Sequence, residues 1–384
     1  MRIDLINIYR IAIHFSVEFS HAIIKRLFTN NIVVEIISDN GKIKGYGEGA
    51  PRIYVTGETQ ESASSRIKYL VGKGTFPWEL ENVSQVWDFV DSLSNEKDNN
   101  SAICALEMAL LDTLARKQNR HIMEYLPQDF SVNAVHYGAV IPLSSEERVM
   151  RICQSIKKMG FNKLKLKMGK DFDQNRAALN ILSNIFKDDY DLKVDVNGAW
   201  DYELAFKHIS MLREYNVRVV EQPMAPDDPE IAGFARTIKK NGIILMADES
   251  ACSLKDVKKL TREGHYEMIN VRLSKCGGFR RSLQLIDYLR DNGVSFQIGC
   301  QLGETGLLSA AGRALSLLCG DAIYYDGSYD EFLLKENITY EDVSFGMGGE
   351  AGPLDGPGLG VEVSNKKLDR LSDLPSKITI TRSN

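Results

Sequence analysis

The chain has 384 residues, which is long enough for two domains. Its net charge of −5 gives no basic surface for nucleic acid or an anionic membrane, so we expect neither partner. No apolar run is long enough to span a bilayer. The N-terminus has no signal-peptide pattern and the six cysteines are scattered, which predicts a reducing, cytoplasmic compartment.

The N-terminal part of the sequence predicts an α+β domain over residues 1–125. Strands are indicated at residues 32–37 and 44–50, joined at the turn signal Asp39-Asn40-Gly41. Residues 13–23 fit neither the strand period nor the helix period. Residues 59–125 are helical in pattern, most clearly at residues 102–116. The turn-rich residues 350–384 are expected to return from the second domain and complete this one.

Residues 126–349 predict a second domain in which strands and helices alternate. Ser144 and Glu147 have the spacing of a capping box, which would start the first helix of this domain. Repeated strand–helix units imply a parallel sheet. Even spacing and the lack of a GxGxxG motif after the first strand favour a closed (β/α) barrel over a doubly wound sheet. The predicted fold class is therefore α/β, with a modified TIM barrel and an α+β cap. The lysine-containing strand of this domain is predicted at 163–167. Five further strands, each followed by a helix, are predicted at 192–197, 217–221, 243–248, 268–273 and 294–299.

One predicted strand alternates lysine with leucine, at Lys163, Lys165 and Lys167. Alternation of period two places the lysines on one face and the leucines on the other. The strand lies between two helical segments, where both faces of a strand are normally covered. Two interpretations stay open at this point. The lysines could face solvent, or they could exchange protons in a cleft.

Active sites of barrels lie at the C-terminal ends of the strands, so the last inward polar residues are the candidates. On the strand at 268–273, Ile269 and Val271 should face the helices, which turns Asn270 and Arg272 inward. The candidates in chain order are Lys165, Lys167, Asp195, Asn197, Glu221, Asp248 and Arg272.

Three of these candidates, Asp195, Glu221 and Asp248, are carboxylates on successive strands. A barrel mouth holding three bare carboxylates would be strongly repulsive, and an oxygen-only ligand set suits Mg²⁺. Salt-bridged acids at strand ends are the structural alternative. Zinc hydrolase chemistry is disfavoured, because no histidine pair has the HxH or HExxH spacing.

A lysine facing a magnesium site suggests one type of reaction. The metal binds the carboxylate of a small-molecule substrate, and a base removes the proton on the α-carbon. The positive charge of Lys165 would help Lys167 lose its own proton and serve as that base.

Several short motifs that contain these residues resemble those of a known family. Lys165-x-Lys167, Asp195-x-Asn197, Glu221-Gln-Pro223, Ala247-Asp-Glu-Ser250 and Lys275-Cys-Gly-Gly278, with Gly356-Pro-Gly-Leu-Gly360 near the end, resemble the muconate lactonizing enzyme subgroup of the enolase superfamily. The resemblance covers almost the whole chain. It implies a (β/α)7β barrel with a capping domain, and a homo-oligomer. It also implies Mg²⁺ on Asp195, Glu221 and Asp248, Lys167 as base, Lys165 in support, and Asn197 beside the metal.

The sequence departs from the subgroup at Arg272, where a second catalytic lysine is usual. Lys275 has the outward parity and matches the second, non-catalytic lysine of the motif. Arginine stays protonated and is a poor proton carrier, although it is a good fixed cation. We therefore predict a one-base lyase or cycloisomerase in which Arg272 binds a carboxylate or stabilises developing charge. The alternatives are a racemase or epimerase of amino-acid derivatives or dipeptides, and a non-catalytic relic that binds a ligand.

A second departure concerns the Asp-x-Asp that holds the α-ammonium in dipeptide epimerases of this subgroup. Here Asp326 is followed by Ser328, which disfavours a dipeptide substrate. Specificity in the family comes from two mobile cap loops, and the matching residues are 14–22 and 52–58. The candidate substrate contacts are Phe15, Phe19, His21, Arg52, Tyr54, Asn197, Gln297, Cys300 and Glu304.

Overall fold

The computed structural model describes residues 1–20, 25–187 and 189–382. The N-terminal region combines an antiparallel sheet with three helices, and a strand from the end of the chain completes the sheet in the order β14-β1-β2-β3. The elements in chain order are β1 (Ile3–Ser20), β2 (Lys25–Ser38), β3 (Ile43–Gly49), α1 (Gln60–Val71), α2 (Val83–Asp91), α3 (Asn100–Lys117) and, before the barrel, β4 (Val135–His136).

The β2–β3 turn confirms the predicted hairpin signal. Asp39, Asn40 and Gly41 have φ of 52°, 59° and 81°, a left-handed conformation that these residue types tolerate well. The preceding hairpin corrects a prediction. Residues 14–20 were expected in a loop, but β1 pairs with β2 as far as Ser20 after a register shift beyond His14. The pairing is irregular between His14↔Phe28 and Phe19↔Arg26, and a strand with such an irregularity need not follow a strict period of two.

The barrel follows as an eight-stranded parallel sheet within the described residues, in the order β12-β11-β10-β9-β8-β7-β6-β5. The amide of Gly138 donates to the carbonyl of Tyr325 at 2.8 Å, which joins the two edge strands and closes the barrel. The strands are β5 (Ala139–Ile141), β6 (Lys163–Lys167), β7 (Asp191–Asp195), β8 (Val217–Glu221), β9 (Ile244–Ala247), β10 (Met268–Arg272), β11 (Ser295–Gly299) and β12 (Tyr324–Tyr325).

The helices alternate with these strands and cover the outside of the barrel, as the fold class predicts. They are α4 (Glu146–Lys158), α5 (Phe172–Phe186), α6 (Tyr202–Glu214), α7 (Ile231–Lys240), α8 (Leu254–Glu263), α9 (Leu273–Cys276), α10 (Phe279–Asp291), α11 (Gly306–Leu318) and α12 (Asp330–Leu333). Among the residues that the structure describes, none of the helices has both the length and the apolar surface needed to cross a bilayer.

The predicted capping box at the start of α4 is wrong. The N-cap is Ser145 rather than Ser144, and it makes no side-chain capping bond among the described residues. Glu146 and Glu147 lie in the first turn instead, where the helix dipole favours negative charge. This charge–dipole interaction adds a small electrostatic stabilisation and does not replace the reciprocal hydrogen bonds of a capping box.

The end of the chain returns to the N-terminal region. It contains β13 (Glu350–Ala351), which pairs with β4, then α13 (Asn365–Leu371) and β14 (Ile378–Thr381). β14 pairs with β1 in antiparallel register from Leu5↔Thr381 to Ile8↔Ile378. The Gly358 carbonyl accepts from the amide of Ile122 at 2.7 Å, and Gly358 has φ of 70°. A Cβ at Gly358 would lie 2.0 Å from an Asp112 carboxylate oxygen, so this close approach requires glycine.

One buried carboxylate fixes the cap to the barrel. Glu107 on α3 accepts from the amides of Phe279 at 2.5 Å and Arg280 at 2.8 Å, at the start of α10. Gly278 permits this approach, since a Cβ there would lie 1.9 Å from a Glu107 oxygen. Burial raises the pKa of Glu107 to about 8, although the two backbone donors oppose that rise.

We expect Glu107→Ala to lower the free energy of unfolding by about 2–3 kcal/mol, because two amide donors at a buried helix start lose their acceptor. Urea denaturation monitored by circular dichroism measures the change. Glu147→Ala is the matched control, since its side chain is 83% exposed and its loss should cost under about 0.5 kcal/mol. Equal effects of the two substitutions would contradict the assigned role of Glu107.

Candidate active site

The lysine strand β6 ends at a carboxylate. The Lys167 ammonium lies 2.6 Å from Asp195 Oδ2 and donates to Asn197 Oδ1 at 2.8 Å. Lys165 lies 3.0 Å from the same Asp195 oxygen and 2.7 Å from Glu221 Oε2. Burial alone would lower the pKa of Lys165, but the surrounding carboxylates outweigh it and raise the pKa well above its usual value. The lysines therefore face the barrel interior, and the solvent-facing interpretation is excluded.

The opposite wall carries the other cations. The Arg272 guanidinium contacts Asp248 Oδ2 and lies 3.6 Å from Glu221 Oε1. Asn270 donates to Glu221 Oε1 at 2.8 Å, so strand parity correctly turned Asn270 and Arg272 inward. Lys275 differs from its expected outward position. It is fully buried and lies 2.9 Å from Asp248 Oδ1, because the chain turns into α9 directly after Arg272 and brings it back to this carboxylate.

A second group of charges lies one layer deeper in the barrel. Lys193 is in register with Lys165 and contacts both oxygens of Asp326, at 2.8 and 2.9 Å. Lys165 lies 3.1 Å from Asp326 Oδ2. Burial would raise the pKa of Asp326, but these two lysines lower it to about 2. Two ammonium groups thus neutralise the one carboxylate on this side of the site.

The loops after β7 and β8 are held in uncommon conformations. Asn197, two residues after Asp195, has φ of 49°, and Gln222, the residue after Glu221, has φ of 37°. Asn197 is fixed by three bonds, one of them from its side-chain amide to Glu249 Oε1 at 3.1 Å. Gln222 accepts from the amides of Asp248 and Ser250 at 3.0 and 3.1 Å. Such geometry persists only where the surroundings determine it, which is common at functional sites.

A pocket of about 460 Å³ lies over these residues. Several predicted site residues line it, namely Tyr54, Lys165, Lys167, Asn197, Arg272, Cys300 and Glu304. Glu304 is buried and accepts from the amide of Gln301 at 2.6 Å. Burial raises the pKa of Glu304 to about 8, so this group carries its proton at neutral pH and can donate a hydrogen bond into the pocket.

The structure places other predicted contacts elsewhere. Arg52 is fully buried and donates to the carbonyls of Asn30, Pro51 and Leu302, so it joins the cap to the loop after β11. Gln297 is also fully buried, where it contacts Lys193 and donates to Asp326 at 3.2 Å. Neither Arg52 nor Gln297 is among the residues that line the pocket. For Gln297 the physical reason is depth, because strand parity shows that a side chain points inward but not at which level of the barrel it lies. Phe15 is buried in β1 and bridges to Leu334. His21 lies outside the described residues, and no side-chain position is described for Phe19.

Two pocket or interior residues were missed, Lys193 and Glu249. Lys193 precedes Asp195 by two residues, so strand parity alone could have placed it inward. Glu249 follows Asp248 and lines the pocket because β9 has already ended at Ala247. Burial and the nearby Asp195 raise the pKa of Glu249, and its Oε2 accepts no hydrogen bond from the described residues.

The three carboxylates at the strand ends are oxygen ligands of the kind that Mg²⁺ prefers. Asp195, Glu221 and Asp248 supply only carboxylate oxygens, and within the described residues Glu221 Oε2 and Asp248 Oδ2 are each paired with a cation, Lys165 and Arg272 respectively. Over residues 1–20, 25–187 and 189–382, no three ligand groups converge as closely as a bound ion requires. The reason is visible in the contacts, since Lys165 and Arg272 lie against the carboxylates and provide the compensating charge.

Two family models match most of the chain. Residues 17–126 match the N-terminal domain of mandelate racemase and muconate lactonizing enzyme, and residues 148–367 match the enolase C-terminal domain-like family. The chain belongs to the mandelate racemase/muconate lactonizing enzyme family of the enolase superfamily. Its barrel and cap are the fold of that superfamily, and its relatives include enzymes of the racemase, epimerase and synthase types.

Several similar proteins within this superfamily are epimerases or racemases. A hydrophobic dipeptide epimerase of Enterococcus faecalis is 28% identical over 352 residues, which are 90% of each chain. The N-succinyl-L-Arg/Lys racemase of Bacillus cereus is 24% identical over 379 residues, covering 97% of this chain and 98% of the racemase. The crystal structure of that racemase matches this fold with a TM-score of 0.86, over 99% of this chain and 100% of the racemase, at 22% identity.

A further structure of the superfamily contains magnesium. The dipeptide epimerase from Cytophaga hutchinsonii, in complex with Mg and the dipeptide D-Ala-L-Val, has a TM-score of 0.84 to this chain. It is 22% identical, and the match covers 99% of this chain and 100% of the epimerase. At this identity the likeness establishes the shared fold.

Proposed function

We propose that this protein is a magnesium-dependent racemase or epimerase of amino-acid derivatives, with Lys167 as the base that removes the α-proton. One observation carries the proposal. Lys167 ends β6 and Arg272 ends β10, and these strands are four places apart in a closed barrel of eight. The Lys167 ammonium and the Arg272 guanidinium therefore reach the carboxylates from opposite walls of the barrel. This is the arrangement expected of two groups that act on opposite faces of a substrate α-carbon. The E. faecalis and B. cereus relatives, an epimerase and a racemase, support the same class.

Asp195, Glu221 and Asp248 would hold the magnesium ion. When bound, it supplies a positive charge that stabilises the negative charge developing on the substrate carboxylate. Lys165 adds a second positive charge at this position, since it lies within 3.0 Å of both Asp195 and Glu221.

The protein's own residues handle the proton. Asn197 Oδ1 and Asp195 Oδ2 hold the Lys167 ammonium by two contacts, which fix its direction toward the pocket. Lys167 acts as a base in its neutral form, in which its amine can accept the α-proton of the substrate. Arg272 remains charged and provides a fixed cation on the opposite wall.

A specific observation favours a second function. Arg272 takes the place of a proton carrier, which suits a one-base lyase or cycloisomerase in which the cation stabilises charge on the leaving group. Turnover in deuterated water separates the two classes. N-acyl amino acids and dipeptides are expected to gain one deuterium at the α-carbon and to yield the other isomer. A product with a new double bond or ring, formed without the inverted isomer, would establish the second function.

We expect magnesium to stabilise the protein by about 2–3 kcal/mol at a hundredfold excess over its dissociation constant, measured as a shift in melting temperature. Glu221→Gln is expected to remove most of that shift, since one of three charged ligands is lost. Asp227→Asn is the control, because this carboxylate is 81% exposed and pairs with Lys259 on α8. A wild-type protein that magnesium fails to stabilise would favour the relic that lacks catalysis.

A further inference from the structure

A closed set of polar contacts lies beneath the loops that follow β6 and β7. Gly169 is two residues beyond Lys167 in the first of these loops. Its carbonyl accepts from Trp200 Nε1 and from Asn175 Nδ2, both at 2.8 Å. Trp200 is in the second loop, three residues beyond Asn197, whose side chain accepts from the Lys167 ammonium. The contacts therefore join the two loops whose residues meet at the Lys167 ammonium.

The contacts of Asn175 with Gly169 fix the orientation of its side-chain amide. The Gly169 amide donates to Asn175 Oδ1 at 3.0 Å, and Asn175 Nδ2 donates to the Gly169 carbonyl. An amide that has both a donor and an acceptor as partners cannot be flipped without losing both bonds. Asn175 Nδ2 also lies 3.0 Å from Nε2 of His208, on α6. Asn175 therefore presents an N–H, and not an oxygen, to His208.

The protonation state of the His208 ring follows from its two neighbours. Its Nδ1 lies 2.7 Å from the carbonyl of Leu204, one helical turn earlier on α6. A carbonyl oxygen can only accept, so Nδ1 carries a hydrogen. Nε2 faces the N–H of Asn175 and must accept, so it carries none. His208 is therefore the neutral ring protonated at Nδ1, because an imidazolium would bring two donors together at Asn175.

Packing holds the His208 ring in this position. The ring is fully buried, stacks on Trp200 with centroids 4.0 Å apart and meets Phe172 edge to face at 4.9 Å. Burial lowers the pKa of His208 and the charge of Lys207 lowers it further, so the ring stays neutral at pH 7. His208 closes the set of contacts, because it touches both Asn175 and Trp200, the two side chains that join the loops.

We infer that His208 is a positioning residue for the base Lys167, and that it acts by holding Asn175 against Gly169. This inference rests on the proposed function, in which Lys167 removes the α-proton. The ring is not among the residues that line the pocket, so it acts only through its neighbours. Without the acceptor Nε2, a buried N–H of Asn175 is left unpaired, which favours rotation of the amide away from Gly169. The loop that follows Lys167 then loses its anchor.

The experiment compares His208→Leu, which removes the acceptor at similar volume, with His208→Gln, whose side-chain oxygen can replace Nε2 as acceptor. Exchange of the α-proton is measured in deuterated water on the full-length protein with Mg²⁺, using N-succinyl-lysine and alanyl-valine. A misplaced base slows proton transfer without weakening substrate binding, so His208→Leu should lower kcat for exchange at least about tenfold and leave KM within about twofold. His208→Gln should keep at least about a third of the wild-type kcat.

A second readout does not depend on activity. Hydrogen exchange of the backbone amides of residues 168–171, followed by mass spectrometry, should be at least about tenfold faster in His208→Leu and near the wild-type rate in His208→Gln. His136→Leu is the matched control, because it makes the same change at an exposed histidine in β4 and should leave both readouts within about twofold. Circular dichroism and melting temperature establish that each variant is folded.

A measurement on the wild type covers the case in which His208→Leu fails to fold. Nitrogen-15 NMR of the histidine rings at pH 7 should show His208 protonated at Nδ1 and bare at Nε2. The opposite tautomer or a charged ring would overturn the inference. So would an unchanged kcat in His208→Leu, a His208→Gln variant as slow as His208→Leu, or unchanged hydrogen exchange of residues 168–171.

Failure of the proposed function would look different. Absence of α-proton exchange in the wild type with both compounds would overturn the assignment of Lys167 as the base of this reaction. The ring tautomer and the hydrogen exchange of residues 168–171 would still test whether His208 holds the loop that follows Lys167.

Discussion

Lys167→Ala is expected to lower α-proton exchange about a thousandfold or more, because a positioned general base contributes a factor of this order. The side chain removed here is the one that reaches the pocket from the end of β6 and is held by Asp195 and Asn197. Exchange of the α-hydrogen for deuterium, followed by proton NMR, reports this step directly and does not require that product be released.

Two controls accompany the Lys167 variant. Lys170→Ala removes an exposed lysine just beyond the same strand and should leave exchange within about twofold of the wild type. Magnesium binding to Lys167→Ala should persist, since the three carboxylates remain and lose one competing cation. Full exchange in Lys167→Ala would show that another group is the base, and loss of magnesium binding would show that the substitution acts through the metal site.

Much of the candidate site could be predicted from strand parity. Lys165 and Lys167 alternate with leucine, and Asp195, Glu221 and Arg272 each end a strand, so one rule places them at the mouth of a parallel barrel. Such features are local in sequence, because a period of two and a strand end can be read within a few residues.

The features that could not be predicted depend on distant partners. Lys193 meets Asp326 across 133 residues, and Arg52 meets the carbonyl of Leu302 across 250. Only the closed barrel and the docked cap bring these groups together. The depth of a side chain within the barrel could not be predicted either. Gln297 points inward as strand parity requires, but it is in register with Asn270, two residues below the barrel mouth. The capping box at Ser144 failed for a different reason, since a helix start has several ways of satisfying its amides.

The largest effect on stereochemistry is expected at Arg272. For the substrate isomer whose α-hydrogen faces Lys167, solvent deuterium should enter at least about tenfold faster than the configuration inverts. Lys167 exchanges its protons with water and can return deuterium to the same face. Inversion requires a proton from the opposite face, where Arg272 holds its proton tightly. Chiral separation of products, combined with mass spectrometry, measures both rates in one reaction.

Arg272→Lys should bring the two rates together, because an amine exchanges its proton far more readily than a guanidinium and would reach the substrate from the same strand end. Arg272→Met keeps the length without the charge, and it should slow exchange and inversion alike if the cation contributes to stabilising the substrate's developing charge. Equal rates of exchange and inversion in the wild type would mean that a proton carrier does act on the β10 side. Glu304, which is buried in the pocket and carries its proton at neutral pH, would then be the first group to substitute.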